Sequence, residues 1–424
     1  MIAFMAIALA VILVLGFPLF MMLGFTSLLT SAIFFPNLNI TIMMQQMING
    51  ISTFVLSAIP MFIFAADIMT MGHTANRLVD FVKVFLGHIY GGLGISLAGA
   101  CTIFGAISGS TQATVVAIGK PMRQSLIDAG YKRTDVNALI ISAANIATLI
   151  PPSIGMIVYC VLTNTSVAEL FMAGVAPGLL TFLMFSAYNY FHSRRTGVPL
   201  RERASWKERL ICTKRSLLAL GFPALIIGGI YTGTFSPTEA AAISVLYAII
   251  CEMFIYKTIT YKDIYRVALS TAIVTSALFV LIAVGQAFSW LITFVRLPQE
   301  LTPLVLGVNP SAIKVLLVVS LFFFISCMFV DPTVACLVLV PIFFPVAVRA
   351  GIDPIQLGIV ITLQCGIGGV TPPFGCNIFT ACAAFNESYL DVVRELKPYL
   401  LMFLILSLLV VYVPGLSTCY RLFM

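Results

Sequence analysis

Apolar residues in this chain come in long unbroken runs, and the polar residues between them fall where ordinary membrane spans have none. Residues 1–66 carry no ionisable side chain, and the first is Asp67. Further charge-free runs cover residues 136–168, 170–193, 216–238, 267–295, 354–386 and 398–420. A hydrocarbon core about 30 Å thick is crossed by roughly 20 helical residues, so each run is long enough to span it. Two runs, 136–168 and 354–386, are too long for one straight crossing, and each contains a diproline, Pro151-Pro152 and Pro372-Pro373. Proline removes a backbone donor and frees carbonyls one turn earlier, which predicts two broken helices.

Another stretch predicts a different element. Residues 84–119 hold no charge apart from His88, yet Arg77 and Lys83 precede them and Lys120 and Arg123 follow. In the middle sits Ser108-Gly109-Ser110-Thr111-Gln112. Non-helical polar backbone at membrane depth survives only where protein or a water-filled cavity satisfies it. The pattern predicts a re-entrant helical hairpin near 92–120 with its tip near the midplane.

The chain also repeats itself. Ser110 precedes Pro151 by 41 positions (151 − 110), and Asp331 precedes Pro372 by the same 41 (372 − 331). Ala129-Gly130 matches Ala350-Gly351, Asn164-Thr165-Ser166 matches Asn386-Glu387-Ser388, and Pro177 matches Pro398. A period of this kind marks duplicated structure. It predicts N-terminal scaffold spans over 1–50 and a first repeat over 51–191. A block over 192–266 would hold a basic loop and two spans, and a second repeat would fill 267–424. In the repeats, broken helices fall near 136–168 and 355–386, and a second hairpin near 315–348. The first hairpin opens toward the basic side, so the second is expected to open the other way. The fold class read here is an all-α integral membrane protein of inverted repeats.

Composition agrees. Of 424 residues, 60% are hydrophobic and 9% charged, and the mean hydropathy is +1.08. A soluble domain carries roughly 25% charged residues. The apolar N-terminus has no basic n-region, which predicts a retained span and not a cleaved leader. Residues 194–215 hold eight basic side chains against two acidic ones. Basic excess in short loops marks the cytoplasmic side, so the net charge of +7 reads as an orientation signal. Ten cysteines and three histidines are scattered, with no CxxC pair or ligand spacing, which argues against a transition metal. No acid–base or nucleophile cluster appears, which argues against an enzyme.

Each predicted break is built from helix-start chemistry. Asp331-Pro332-Thr333 places a capping carboxylate before a proline at the first helical position, where the missing N–H costs nothing. Ser110 holds the matching place in the first hairpin. Freed carbonyls with hydroxyls form a hard oxygen cage suited to Na⁺, and half-helix N-termini suit a carboxylate. The candidate sodium-binding residues are Ser108, Ser110, Asn145, Thr148, Pro151, Asp331, Thr333, Gly366, Gly369 and Thr371. Candidate substrate-binding residues are Ser110, Thr111, Ser153, Pro332 and Asn377. Asp331 either caps its half-helix alone or also faces the ion. Na⁺ is expected as the coupling ion, with no organic cofactor. The competing readings are prolines that merely bend helices for packing, a stand-alone Na⁺/dicarboxylate symporter, a membrane enzyme, and a passive channel.

Five motifs carry a family resemblance: Gly105-Ala106-Ile107-Ser108-Gly109-Ser110, Leu149-Ile150-Pro151-Pro152-Ser153-Ile154, Leu170-Phe171-Met172-Ala173-Gly174, Phe235-Ser236-Pro237-Thr238-Glu239-Ala240 and Gly369-Val370-Thr371-Pro372-Pro373. In this order they resemble the large membrane subunit of TRAP (tripartite ATP-independent periplasmic) transporters. The resemblance implies an elevator-type secondary transporter in the bacterial inner membrane, coupled to Na⁺. It also implies a small four-helix membrane subunit and a periplasmic substrate-binding protein as partners. The implied cargo is an organic acid: sialic acid, a C4-dicarboxylate, or a keto or sugar acid. Many members carry Gly-Ser-x-x-Ala-Asp after the hairpin serines, where this chain has Ser110-Thr111-Gln112-Ala113-Thr114. That departure resembles the sialic-acid members more than the C4-dicarboxylate ones.

Overall fold

The computed structural model describes residues 1–422 apart from 201 and 308–309, and among the described residues all regular structure is helical. Seven helices are long and apolar enough to cross a bilayer: Phe54–Met71, Val167–Thr196, Trp206–Tyr231, Pro237–Ile255, Tyr261–Phe294, Ala312–Phe329 and Pro332–Arg349. Shorter apolar helices, including Ile2–Val14, Leu19–Phe34, Gly92–Ser108 and Pro354–Gly369, supply the rest of the apolar body. The chain is thus a multi-pass membrane protein.

Two helix pairs turn back on themselves. The first descends along Gly92–Ser108, turns at Gly109-Ser110, and returns along Thr111–Thr114, a π-helical stretch Val115–Gly119, and Lys120–Asp128. Its second limb runs about two turns past the expected 120, with Pro121 in the first turn of Lys120–Asp128, where proline continues a helix without loss. The second hairpin comprises Ala312–Phe329 and Pro332–Arg349, close to the predicted 315–348.

Each of these pairs is followed by an interrupted helix. The first consists of Arg133–Ala144, a 3₁₀ turn Asn145–Thr148, and Ile154–Thr163; the second of Pro354–Gly369 and Cys376–Phe385. Pro151-Pro152 and Pro372-Pro373 lie in the two gaps, each with a cis peptide bond between the prolines. Gly130 and Gly351, at φ +94° and +75°, close the second limb of each hairpin in the left-handed region that a side chain disfavours. Asn164 and Asn386 end the broken helices at φ 53° and 52°. Two residues on, Ser166 and Ser388 accept from the N–H groups of Glu169 and Asp391 and start the next helices. The matched sequence landmarks are therefore helix stops and starts.

The basic run is not one loop. Arg194 and Arg195 occupy the last turn of Val167–Thr196, and a capping box between Ser205 and Glu208 starts Trp206–Tyr231. Its cations therefore sit on two helix ends, favourably placed against the dipole at the first; Arg201 lies outside the described residues. The motif around Ser236 is a second capping box: Ser236 N–H donates to Glu239 at 2.8 Å and Glu239 N–H to Ser236 at 3.3 Å.

Packing brings the two halves into one body. A single buried cluster includes Phe104 and Ile107 of the first hairpin, Phe323 of the second, and Ile140 and Ile361 of the broken helices. A smaller one joins Met22 and Leu23 near the N-terminus to Phe288 and Leu291 and to Val334 and Leu337 of the second hairpin. The long helix Tyr261–Phe294 packs against Leu19–Phe34, Ile40–Ile51, Ala58–Met71 and Pro332–Arg349, and so forms one wall beside the second hairpin.

Candidate functional site

The two hairpin tips and the two helix breaks meet around one cavity of about 270 Å³. Ser110 and Asp331, which the sequence placed at the two tips, both line it. So do Thr111 and Pro332, Gln112 and Thr333, Asn145 and Gly366, and Thr148 and Gly369. Each of these pairs is separated by the same 221 positions (331 − 110).

At the first tip, Ser110 is extended and caps the returning helix by accepting from Ala113 N–H at 3.3 Å. Gln112 Oε1 accepts from the hydroxyls of Ser110 at 3.3 Å and Thr111 at 3.1 Å, which ties the tip together. At the second tip, Asp331 Oδ1 accepts from Thr333 N–H at 2.8 Å. Pro332 has no N–H to satisfy, as the sequence indicated.

The breaks supply acceptors. The carbonyl of Thr148 would ordinarily meet donors three or four residues on, and those are Pro151 and Pro152, which have none. The carbonyl of Gly369 faces Pro372 and Pro373 in the same way, and the Cys376 thiol lies 4.0 Å from it. Asn145 is 2% exposed and its buried Oδ1 accepts no hydrogen bond. A buried acceptor left unpaired costs free energy, so this oxygen is open to a ligand. The two breaks cross at Gly366, where a Cβ would come within 2.9 Å of both Asn145 Nδ2 and Thr148 Oγ1.

Donors converge as well. Ile154–Thr163 begins at the cavity with Ser153, whose hydroxyl makes no capping bond; Ser153, Ile154 and Gly155 all line the space. With the helix starts after Ser110, Asp331 and Gly375, four half-helix N-termini point their partial positive charge at this region. Val274 and Leu278 of the long helix Tyr261–Phe294 provide an apolar wall.

Four of the sequence-selected residues stand behind this lining. Ser108 braces the first tip, donating to Ser110 O at 3.2 Å and lying 3.3 Å from the Thr114 hydroxyl. Asn377 is fully buried and accepts from Thr111 Oγ1 at 2.7 Å, clipping the first hairpin to the second broken helix. Thr371 donates its hydroxyl to Ile367 O at 2.7 Å. Pro151 acts through the donor it lacks. The sequence reading missed Gln112, Thr362, the thiols of Cys336, Cys365 and Cys376, and the Val274–Leu278 wall. Gln112 was findable, since it lies 221 positions before Thr333 (333 − 112). The wall carries no such signal, because it lies before the matched landmarks of the second repeat. Among the described residues no cluster of His, Cys, Asp or Glu could hold a metal ion.

Discontinuous helices whose ends meet at a cavity inside an apolar body are the mark of a membrane transporter. The chain belongs to the tripartite ATP-independent periplasmic transporter family, as its DctM component, the family model matching residues 6–416. It is the large permease subunit of such a system and not an enzyme. Large permeases of this family work in the inner membrane with a small membrane subunit and a periplasmic binding protein.

Among relatives, the ectoine/5-hydroxyectoine TRAP transporter large permease protein UehC of Ruegeria pomeroyi is 50% identical, covering 97% of this chain and 96% of its own. The ectoine TRAP transporter large permease protein TeaC of Halomonas elongata is 47% identical over the same shares. The C4-dicarboxylate permease DctM of Pseudomonas aeruginosa is 36% identical, covering 93% and 92%. The crystal structure of the YdaH transporter of Alcanivorax borkumensis shares the fold at a TM-score of 0.63 and 15% identity, covering 87% of each chain. These three relatives are named for ectoine or C4-dicarboxylates, and none of the three for sialic acid.

Proposed function

We propose that this chain carries a small carboxylate-bearing solute of the ectoine type inward, driven by Na⁺, with both bound in the cavity between the hairpin tips. One observation carries the reading: Ser110 and Asp331 line a single space together with Thr148 and Gly369, whose carbonyls the diprolines leave without helical donors. Sodium is a hard cation, and these carbonyls with the hydroxyl of Ser110 and the unpaired Oδ1 of Asn145 offer it oxygen ligands. The solute carboxylate is placed at the N-termini after Ser110 and Ser153, with Ser153 as a side-chain donor. The cavity's volume of about 270 Å³ falls below the roughly 300–1,000 Å³ of sites for drug-sized ligands, which favours a small solute. The ectoine permeases at 50% and 47% identity support the cargo.

Movement follows from the same arrangement. In this reading the hairpins and broken helices travel as a unit past the wall formed by Tyr261–Phe294, in an elevator whose two repeats are inverted. The partners are a small four-helix membrane subunit and a periplasmic binding protein that delivers the solute. The test is ectoine uptake into proteoliposomes holding both membrane subunits, with loaded binding protein outside. Uptake is expected to follow an imposed Na⁺ gradient; equal uptake with K⁺ replacing Na⁺ would overturn the coupling. Full uptake by this chain alone would favour the stand-alone symporter instead.

A further inference from the structure

We infer that Asp331 is the countercharge for a cationic group on the solute, so that the cavity selects a small zwitterion over a dianion. This rests on the transport reading above and deepens it. Asp331 is the one acidic side chain that lines the cavity, and no Lys, Arg or His does so among the described residues. None of the described cations pairs with it either. A dicarboxylate would therefore bring two negative charges to a site that already holds one, with only helix N-termini and the coupling cation to offset three.

A zwitterion meets the same groups without that conflict. Its carboxylate faces the N–H groups after Ser110 and Ser153, and its cation faces Asp331. The carboxylate is free to do this. Only Oδ1 is engaged, accepting from Thr333 N–H at 2.8 Å, and Oδ2 accepts from no described residue. Capping does not explain the charge, because a neutral oxygen suffices: Ser110, at the matching place 221 positions earlier (331 − 110), caps its own helix with a hydroxyl. Sodium does not require it, since the Thr148 and Gly369 carbonyls supply neutral ligands in the same space. A planar amidinium beside a carboxylate forms charge-assisted hydrogen bonds, and the wall of Val274 and Leu278 suits the hydrocarbon part of such a ring. Asp331 thus acts toward the solute, and not as the sodium ligand the sequence suggested.

The experiment uses the purified complex of this chain with its small membrane subunit and reads thermal stabilisation by ectoine, by succinate and by Na⁺. Asp331→Asn keeps the cap, because an amide oxygen still accepts from Thr333 N–H, and Asp331→Ser, copying Ser110, serves as a second variant. Both are expected to raise the half-stabilising ectoine concentration roughly tenfold while moving the half-stabilising Na⁺ concentration by less than about twofold. Asp331→Glu is expected to bind ectoine better than Asp331→Asn. A shift of roughly fivefold or more in the Na⁺ response, with ectoine unaffected, would make Asp331 a sodium ligand and overturn the inference, as would no change in either. A wild-type complex stabilised by succinate and not by ectoine would overturn the zwitterion assignment and leave the sodium-coupled transporter standing. Stabilisation by ectoine with no effect of Na⁺ at any concentration would remove the coupling and leave the charge assignment intact.

Discussion

Gly366 shows how little room the centre of this molecule has. Its Cα lies against Asn145 and Thr148 so closely that a methyl group would sit 2.9 Å from both side chains, and the displaced residues are those that line the cavity. Gly366→Ala is expected to cost about 1–3 kcal/mol of stability through overpacking. It is also expected to abolish Na⁺-dependent uptake even where protein still reaches the membrane, which uptake normalised to membrane content would check. Ser110→Ala removes a cap and a cavity hydroxyl together. It is expected to lower stability by about 1 kcal/mol and to weaken Na⁺ dependence. Thr371→Ala deletes only a hydroxyl bonded to Ile367 O and is expected to weaken Na⁺ dependence less. Equal Na⁺ titrations for wild type and Ser110→Ala would remove that serine from the ion site.

At the scale of elements, what the sequence made legible was punctuation. Proline pairs marked the two breaks, and Asn164, Asn386, Ser166 and Ser388 marked where one helix stops and the next starts, because capping depends on residue type over a few positions. The end of the first hairpin was less legible, since the charge at Lys120 reads as its boundary and the helix runs on to Asp128. Ser236 and Glu239 looked like a family signature and prove to be a capping box at 2.8 and 3.3 Å. Ser236→Ala is therefore expected to cost about 1 kcal/mol of helix stability with uptake close to wild type, measured by thermal unfolding in detergent beside transport.

Over the whole molecule, contacts that join the two halves were the part the sequence could not give, because they arise between residues far apart in the chain. Thr111 reaches Asn377 at 2.7 Å, Tyr159 reaches the carbonyl of Pro354 at 2.6 Å, and Glu387 pairs with Arg123 and with Arg133. Glu387 is nearly buried, at 6% side-chain exposure, beside an Arg123 of 12%. Removing one member of such a pair strands the other away from water. Glu387→Gln is thus expected to destabilise the protein by roughly 3 kcal/mol, more than any cap deletion, and a smaller loss of thermal stability than Ser236→Ala shows would refute the link.

The wall formed by Val274 and Leu278 bears on speed. It is the face that the long helix Tyr261–Phe294 turns toward the cavity, and neither side chain has a group to donate or accept. In the proposed movement, cargo and ion slip across such a greasy surface without severing any polar tie to it. Friction at that boundary then comes from steric fit and wetting, and the strong attractions stay with the parts that hold the passenger.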